Sequence, residues 1–210
     1  MVEQNTFNEF LTELSSKAPV PGGGGAAGVG GALGAALGQM VMNLTIGKKK
    51  YADVEEEMEG LLVTMEQLKK RLIHLADKDG EVFAPLAAAY SLPTGTQKEK
   101  AYKEQVMEER LLAASQVPLD IMEAASQVLS ILEVLAHKGS RMAVSDVGVG
   151  ASFARAALLG AVMNVYINTK SMKNRERAEE LNQRADAMVA DGAKKADEIY
   201  ETVLKKLRQG

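Results

Sequence analysis

From Pro19 to Ile46 the chain carries no charged residue: P-V-P-G-G-G-G-A-A-G-V-G-G-A-L-G-A-A-L-G-Q-M-V-M-N-L-T-I. Pro21 ends whatever precedes it, and the glycines Gly22, Gly23, Gly24 and Gly25 follow directly. Backbone N–H groups in such a run are free to point at a ligand, as where an anion sits on a helix N-terminus. Beyond Gly25 the pattern is helical, with Gly30, Gly34 and Gly38 four residues apart on one face. Each interior glycine costs roughly 1 kcal/mol against alanine, so the row implies close approach of another backbone or of a flat ligand. The stretch is long enough to span a bilayer, but it is poor in Leu, Ile and Phe, lacks aromatic anchors and has no second uncharged span beside it. Gly23, Gly25 and Gly28 match G-x-G-x-x-G, yet prolines occupy the place of the strand that a dinucleotide fold needs. A buried helix whose glycine end faces a binding site is the expectation.

The 210 residues suffice for one domain, 1–210. Apolar residues make up 46% and aromatics only 4%, without Trp, so the core must be built from Ala, Leu, Val and Met. A net charge of −3 gives no reason to expect nucleic acid. With no Cys, disulfides and thiolate zinc sites are excluded. No signal-peptide pattern opens the chain, and a cytoplasmic protein with no membrane partner is expected.

Helical patterns follow one another along the sequence. Thr6 can cap a short helix through Leu14, and the glycine-led helix should stop at Gly47, with Lys48, Lys49 and Lys50 suiting its negative end or serving as an anion hook. From about Asp53 to Tyr90, Met58, Leu61, Met65, Leu68, Leu72, Leu75, Val82 and Leu86 keep alternating steps of three and four. A turn at Leu92–Gly95 leads to a helix from Thr96 to Gly139 that Pro118 kinks or divides. Ser145 or Asp146 can cap the next helix, through Val165, and a charged helix runs from about Lys173 to Leu207. No alternating strand pattern occurs, so the fold class is all-α, a bundle of about six helices.

Serine and cysteine nucleophile schemes fail for want of G-x-S-x-G or any Cys. The two histidines, His74 and His137, lie far apart and without metal spacing, so no metal site is expected. Asp79 is different, because it falls on the apolar stripe between Leu75 and Val82, where a carboxylate is costly unless paired or used. Asp77 lies about 200° away around the helix and comes to a site only if Gly80 distorts the turn. Asp146 reads as an ordinary cap. Asn164 and Asn168 share a helical face and Asn43 interrupts an apolar run; buried amides satisfy backbone groups or read heterocycle edges.

Three blocks, P-V-P-G-G-G-G-A-A at 19–27, D-K-D-G-E-V-F at 77–83 and S-D-V-G-V-G-A…G-A-V-M-N-V-Y-I-N-T at 145–169, resemble the cyclodeaminase/cyclohydrolase family of folate enzymes. The resemblance covers nearly the whole chain and implies a helical homodimer acting on a folate, with or without further glutamates, and needing no other cofactor. It makes Asp79 the catalytic carboxylate, with Asp77 as its alternate. Gly22, Gly23, Gly24 and Lys48 would meet the folate's glutamate carboxylates, and Asp146 or Asn164 the donor-rich edge of the pterin. Gly25 stands where the family often has Ser, so no hydroxyl is essential there. Only residues 1–18 precede the first block, which leaves no room for a fused formiminotransferase. The expected activity is therefore methenyltetrahydrofolate cyclohydrolase, with formiminotetrahydrofolate cyclodeaminase as the alternative. A non-enzymatic helical module would leave Asp79 without a purpose.

Overall fold

A computed structural model describes residues 2–3 and 6–209. Among them six α-helices build the fold and no strand occurs: α1 Phe7–Leu14, α2 Gly23–Asn43, α3 Glu55–Tyr90, α4 Gln97–Lys138, α5 Val144–Thr169 and α6 Arg175–Gln209. Short 3₁₀ turns at Lys49–Val54 and Arg141–Ala143 lead into α3 and α5.

Capping chemistry starts two of the helices. The Thr6 hydroxyl accepts from the Glu9 N–H while the Glu9 carboxylate returns to the Thr6 N–H, and Thr96 with Glu99 repeats the box at α4. The α5 start differs from the expectation of a Ser145 or Asp146 cap. Both residues lie inside the helix, which begins at Val144 behind the 3₁₀ turn, and Asp146 sits in its first turn. There a carboxylate still complements the helix dipole. The glycine-led helix ends at Asn43, short of Gly47, which takes a positive φ of 75° in the following loop. Pro118 does not divide α4, which runs unbroken to Lys138.

Helices α2 and α5 lie antiparallel at the centre. A Cβ at Gly34 would come within 2.8 Å of the Gly150 carbonyl oxygen, and one at Gly38 within 2.6 Å of the Met65 methyl. Gly34 therefore supplies the close backbone approach that its cost demands, whereas Gly38 makes room for a side-chain tip. Gly30 is half-buried, and a Cβ there would meet nothing nearer than the Phe153 carbonyl at 4.0 Å. The pairing runs on to Ala27 beside Gly160 and Gly23 beside Asn164, so the start of α2 meets the end of α5. Around this pair the core is aliphatic and thioether: Met42, Met58, Met65, Met122, Leu72 and Leu132 are fully buried. Both α2 and the span Arg141–Thr169 are long and apolar enough to cross a bilayer. Each instead has half or more of its apolar window, 61% and 50%, buried within the bundle.

Candidate active site

Where α2 begins and α5 ends, a cavity of about 200 Å³ is lined by Pro19, Val20, Gly22, Gly23, Asp79, Val82, Phe83, Ala114, Asn164, Ile167 and Asn168. Four distant stretches of sequence meet here, because α2 and α5 are antiparallel, α3 packs along α2 and α4, which carries Ala114, packs along α5. The apolar phase of α3 turns Asp79 toward α2, as Leu72, Leu75 and Ala76 are turned into the bundle.

The half-buried Asp79 carboxylate is placed against the first turn of α2. Its Oδ2 accepts from the Gly25 N–H at 3.1 Å, a bond that the side-chain-free N-cap Gly22 cannot provide for itself. Any Cβ at Gly24 would collide with the same carboxylate, whereas Gly22 has open space beside it. Glycine is thus required at 24 for this approach of helix and acid. Burial pushes the Asp79 carboxyl above its ordinary value, and the Gly25 N–H opposes the shift only in part. The N–H groups of Gly23 and Gly24, at the first two helical positions, have no intrahelical acceptor.

On the opposite wall, Asn164 lies over Gly23, its amide nitrogen 3.5 Å from where a Cβ would stand. Its Nδ2 donates to the Gly160 carbonyl at 3.0 Å. Asn168, one turn further, donates from Nδ2 to the Ala114 carbonyl of α4 at 2.9 Å. Val82, Phe83 and Ile167 complete an apolar rim.

The other sequence candidates are elsewhere. Asp77 is turned off the cavity and accepts from the Val2 N–H at 2.5 Å and the Glu3 N–H at 3.3 Å, fastening the N-terminal residues to α3. Lys48 follows the far end of α2, and a 21-residue helix is about 30 Å long, so within one chain it does not reach the Asp79 cavity. Asp146 is separated from Asn164 by most of the length of α5. Asn43 and both histidines are exposed and do not line the cavity. A larger basin of about 740 Å³ lies at that far end, lined by Lys50, Tyr51, His137, Arg141 and Lys206 among others, but its lysines, Arg141, His137 and Asp53 are all exposed. The small cavity, lined by the one half-buried acid whose carboxyl burial pushes up, is the candidate site for proton chemistry.

The family model described as formiminotransferase-cyclodeaminase matches residues 6–187. The chain is 41% identical over 207 residues to the methenyltetrahydrofolate cyclohydrolase of Methylorubrum extorquens, covering 99% of this chain and 100% of that one. It is 32% identical over 187 residues to the formimidoyltransferase-cyclodeaminase of Mus musculus, covering 89% of this chain but only 35% of the mouse protein. The crystal structure of formiminotetrahydrofolate cyclodeaminase from Thermotoga maritima superposes with a TM-score of 0.81 at 30% identity, covering 100% of this chain and 98% of that one. With its glycine-led helix, its Asp79 cavity and these matches across nearly its whole length, the chain belongs to the formiminotransferase-cyclodeaminase family.

Proposed function

We propose that this chain is a methenyltetrahydrofolate cyclohydrolase, hydrolysing 5,10-methenyltetrahydrofolate to 10-formyltetrahydrofolate. The observation that carries this reading is the half-buried Asp79 at the mouth of α2, its carboxyl pushed up by burial, in a chain that aligns end to end with a cyclohydrolase. Formiminotetrahydrofolate cyclodeaminase is the second reading, favoured by the Thermotoga maritima structure of that name.

In the methenyl compound the one-carbon unit bridging N5 and N10 belongs to an amidinium cation. A carboxylate beside that carbon supplies the counter-charge in a poorly solvated place. As a water oxygen bonds to the carbon, Asp79 takes one of its protons. The same proton passes to N5 as the carbon–N5 bond breaks, the remaining hydroxyl proton leaves to solvent, and the formyl group stays on N10. An upshifted acid is suited to holding that proton between the two steps. In the cyclodeaminase direction N10 attacks the formimino carbon, ammonia leaves, and the carboxylate faces a similar tetrahedral species.

A cavity of about 200 Å³ is smaller than the roughly 300–1,000 Å³ of sites that enclose whole ligands. It fits the reacting end of a folate, with the remainder running over the surface. In this arrangement Gly22, Gly23 and Gly24 approach the reacting rings and Asn164 the pterin. Lys48 and Asp146 have no part in the site of their own chain. The proposed assembly is a homodimer, supported by the exposed apolar residues Leu33, Met40, Val149, Phe153, Met163 and Ile167 on the outward sides of α2 and α5. Sedimentation at micromolar concentration should give twice the mass of one chain. The reaction is tested by following methenyltetrahydrofolate absorbance beside ammonia release from formiminotetrahydrofolate. Fast loss of the first with little of the second is expected, and the reverse would make the chain a cyclodeaminase.

A further inference from the structure

Pro118 is buried inside α4 and has no N–H to give. The carbonyl four residues earlier, that of buried Ala114, therefore lacks its helical donor. Asn168 supplies one from α5, its Nδ2 donating to the Ala114 oxygen at 2.9 Å. A carbonyl can only accept, so the amide must present its NH₂ to α4. That leaves Oδ1 as the free acceptor of an amide that lines the cavity together with Ala114 and Asp79. The neighbouring Asn164 is fixed the same way, with its Nδ2 on the Gly160 carbonyl at 3.0 Å. The cavity thus offers a ligand the amide oxygens of Asn164 and Asn168 and the Asp79 carboxylate as acceptors, beside the Gly23 N–H at the start of α2. These acceptors suit a heterocycle edge that carries N–H donors.

We propose that Asn168 is a specificity-determining residue of this cavity, with Oδ1 accepting a hydrogen bond from the 2-amino group of the bound pterin. The inference rests on the folate reading above and adds the orientation of the ligand, with the pyrimidine edge toward α4 and α5. Pro118 acts through Asn168 as a positioning residue, because it removes the N–H that would otherwise occupy the Ala114 carbonyl and release the amide to turn.

The test is equilibrium titration of the native chain and its variants with tetrahydrofolate and with its 2-desamino-2-methyl analogue. The native protein should prefer tetrahydrofolate by about tenfold or more, the worth of one hydrogen bond to a desolvated acceptor. Asn168→Ala should bind the two ligands alike. Because that variant leaves the Ala114 carbonyl unpaired, the double variant Pro118→Ala/Asn168→Ala is the decisive control. There residue 118 again donates to Ala114, so the helix is repaired while the acceptor stays absent. Continued loss of selectivity in the double variant supports the proposal. Recovered selectivity, or native selectivity in Asn168→Ala, overturns it and leaves the folate reading standing. A native chain that binds neither ligand overturns both.

Discussion

The Asp79 carboxylate accepts the Gly25 N–H at 3.1 Å and stands where a bound anion would stand at the first turn of α2. The glycine-led helix end thus has its anion already, supplied by α3 of the same chain. Two opposing effects act on that carboxylate. The N–H and the positive helix end favour its charged form, while burial disfavours it, and burial wins. A carboxylate held this way is partly unsolvated and stands across from the two asparagine amides of α5.

Because the Asp79 carboxyl is pushed up in the folded chain, folding favours its protonated form. The associated stability is fully present below the unfolded value of about 4 and is lost as pH rises through the higher folded value. Asp79→Asn carries no charge to bury, so its melting temperature should exceed that of the native chain at pH 8. The gap should close on acidification toward pH 4, and thermal melts across this range read it out. A variant that melts lower than the native chain at every pH would contradict the upward shift.

Gly24→Ala should impair turnover far more than Gly22→Ala. A Cβ at position 24 would run into the Asp79 carboxylate, whereas one at 22 meets nothing within 4 Å. Steady-state kinetics of the two variants, each checked for folding by circular dichroism, decides the matter.

Asp77→Asn should leave kcat near the native value, because that carboxylate holds the Val2 and Glu3 N–H groups and does not line the cavity. Its effect should appear as faster proteolysis of the N-terminal residues, read by mass spectrometry after limited digestion.

Gly34→Leu should lower stability by more than the ~1–3 kcal/mol typical of overpacking. The new side chain would meet backbone, the Gly150 carbonyl at 2.8 Å from its Cβ, and backbone yields less than a side-chain tip. Urea titration measures the loss. The same substitution at Gly30, whose Cβ would have 4.0 Å of clearance, should cost much less.

The helical phase of α3 was legible in sequence because its apolar steps persist over many turns, and Asp79 and Asp77 separate on that phase alone. The glycine cost likewise anticipated the α2–α5 contact at Gly34. Lys48 and Asp146 were harder, because a residue's position in a motif says nothing about which end of a long helix it reaches. Lys48 follows α2 at its far end, and Asp146 starts the helix that Asn164 finishes. Ser145 and Asp146 are good cap residues by type, yet a 3₁₀ turn at Arg141–Ala143 begins the helix before them. The link from Pro118 through Ala114 to Asn168 joins two helices by one side-chain bond, and no local pattern announces it.

The most direct test is the turnover of methenyltetrahydrofolate by Asp79→Asn, followed by absorbance beside the native chain. Asparagine keeps the size and can still accept the Gly25 N–H, but it cannot take the proton of water or balance the amidinium charge. Loss of general-base help alone costs about 10²–10⁴ in rate, so kcat should fall at least about a hundredfold in a variant that folds. An Asp79→Asn enzyme with native kcat would contradict the account.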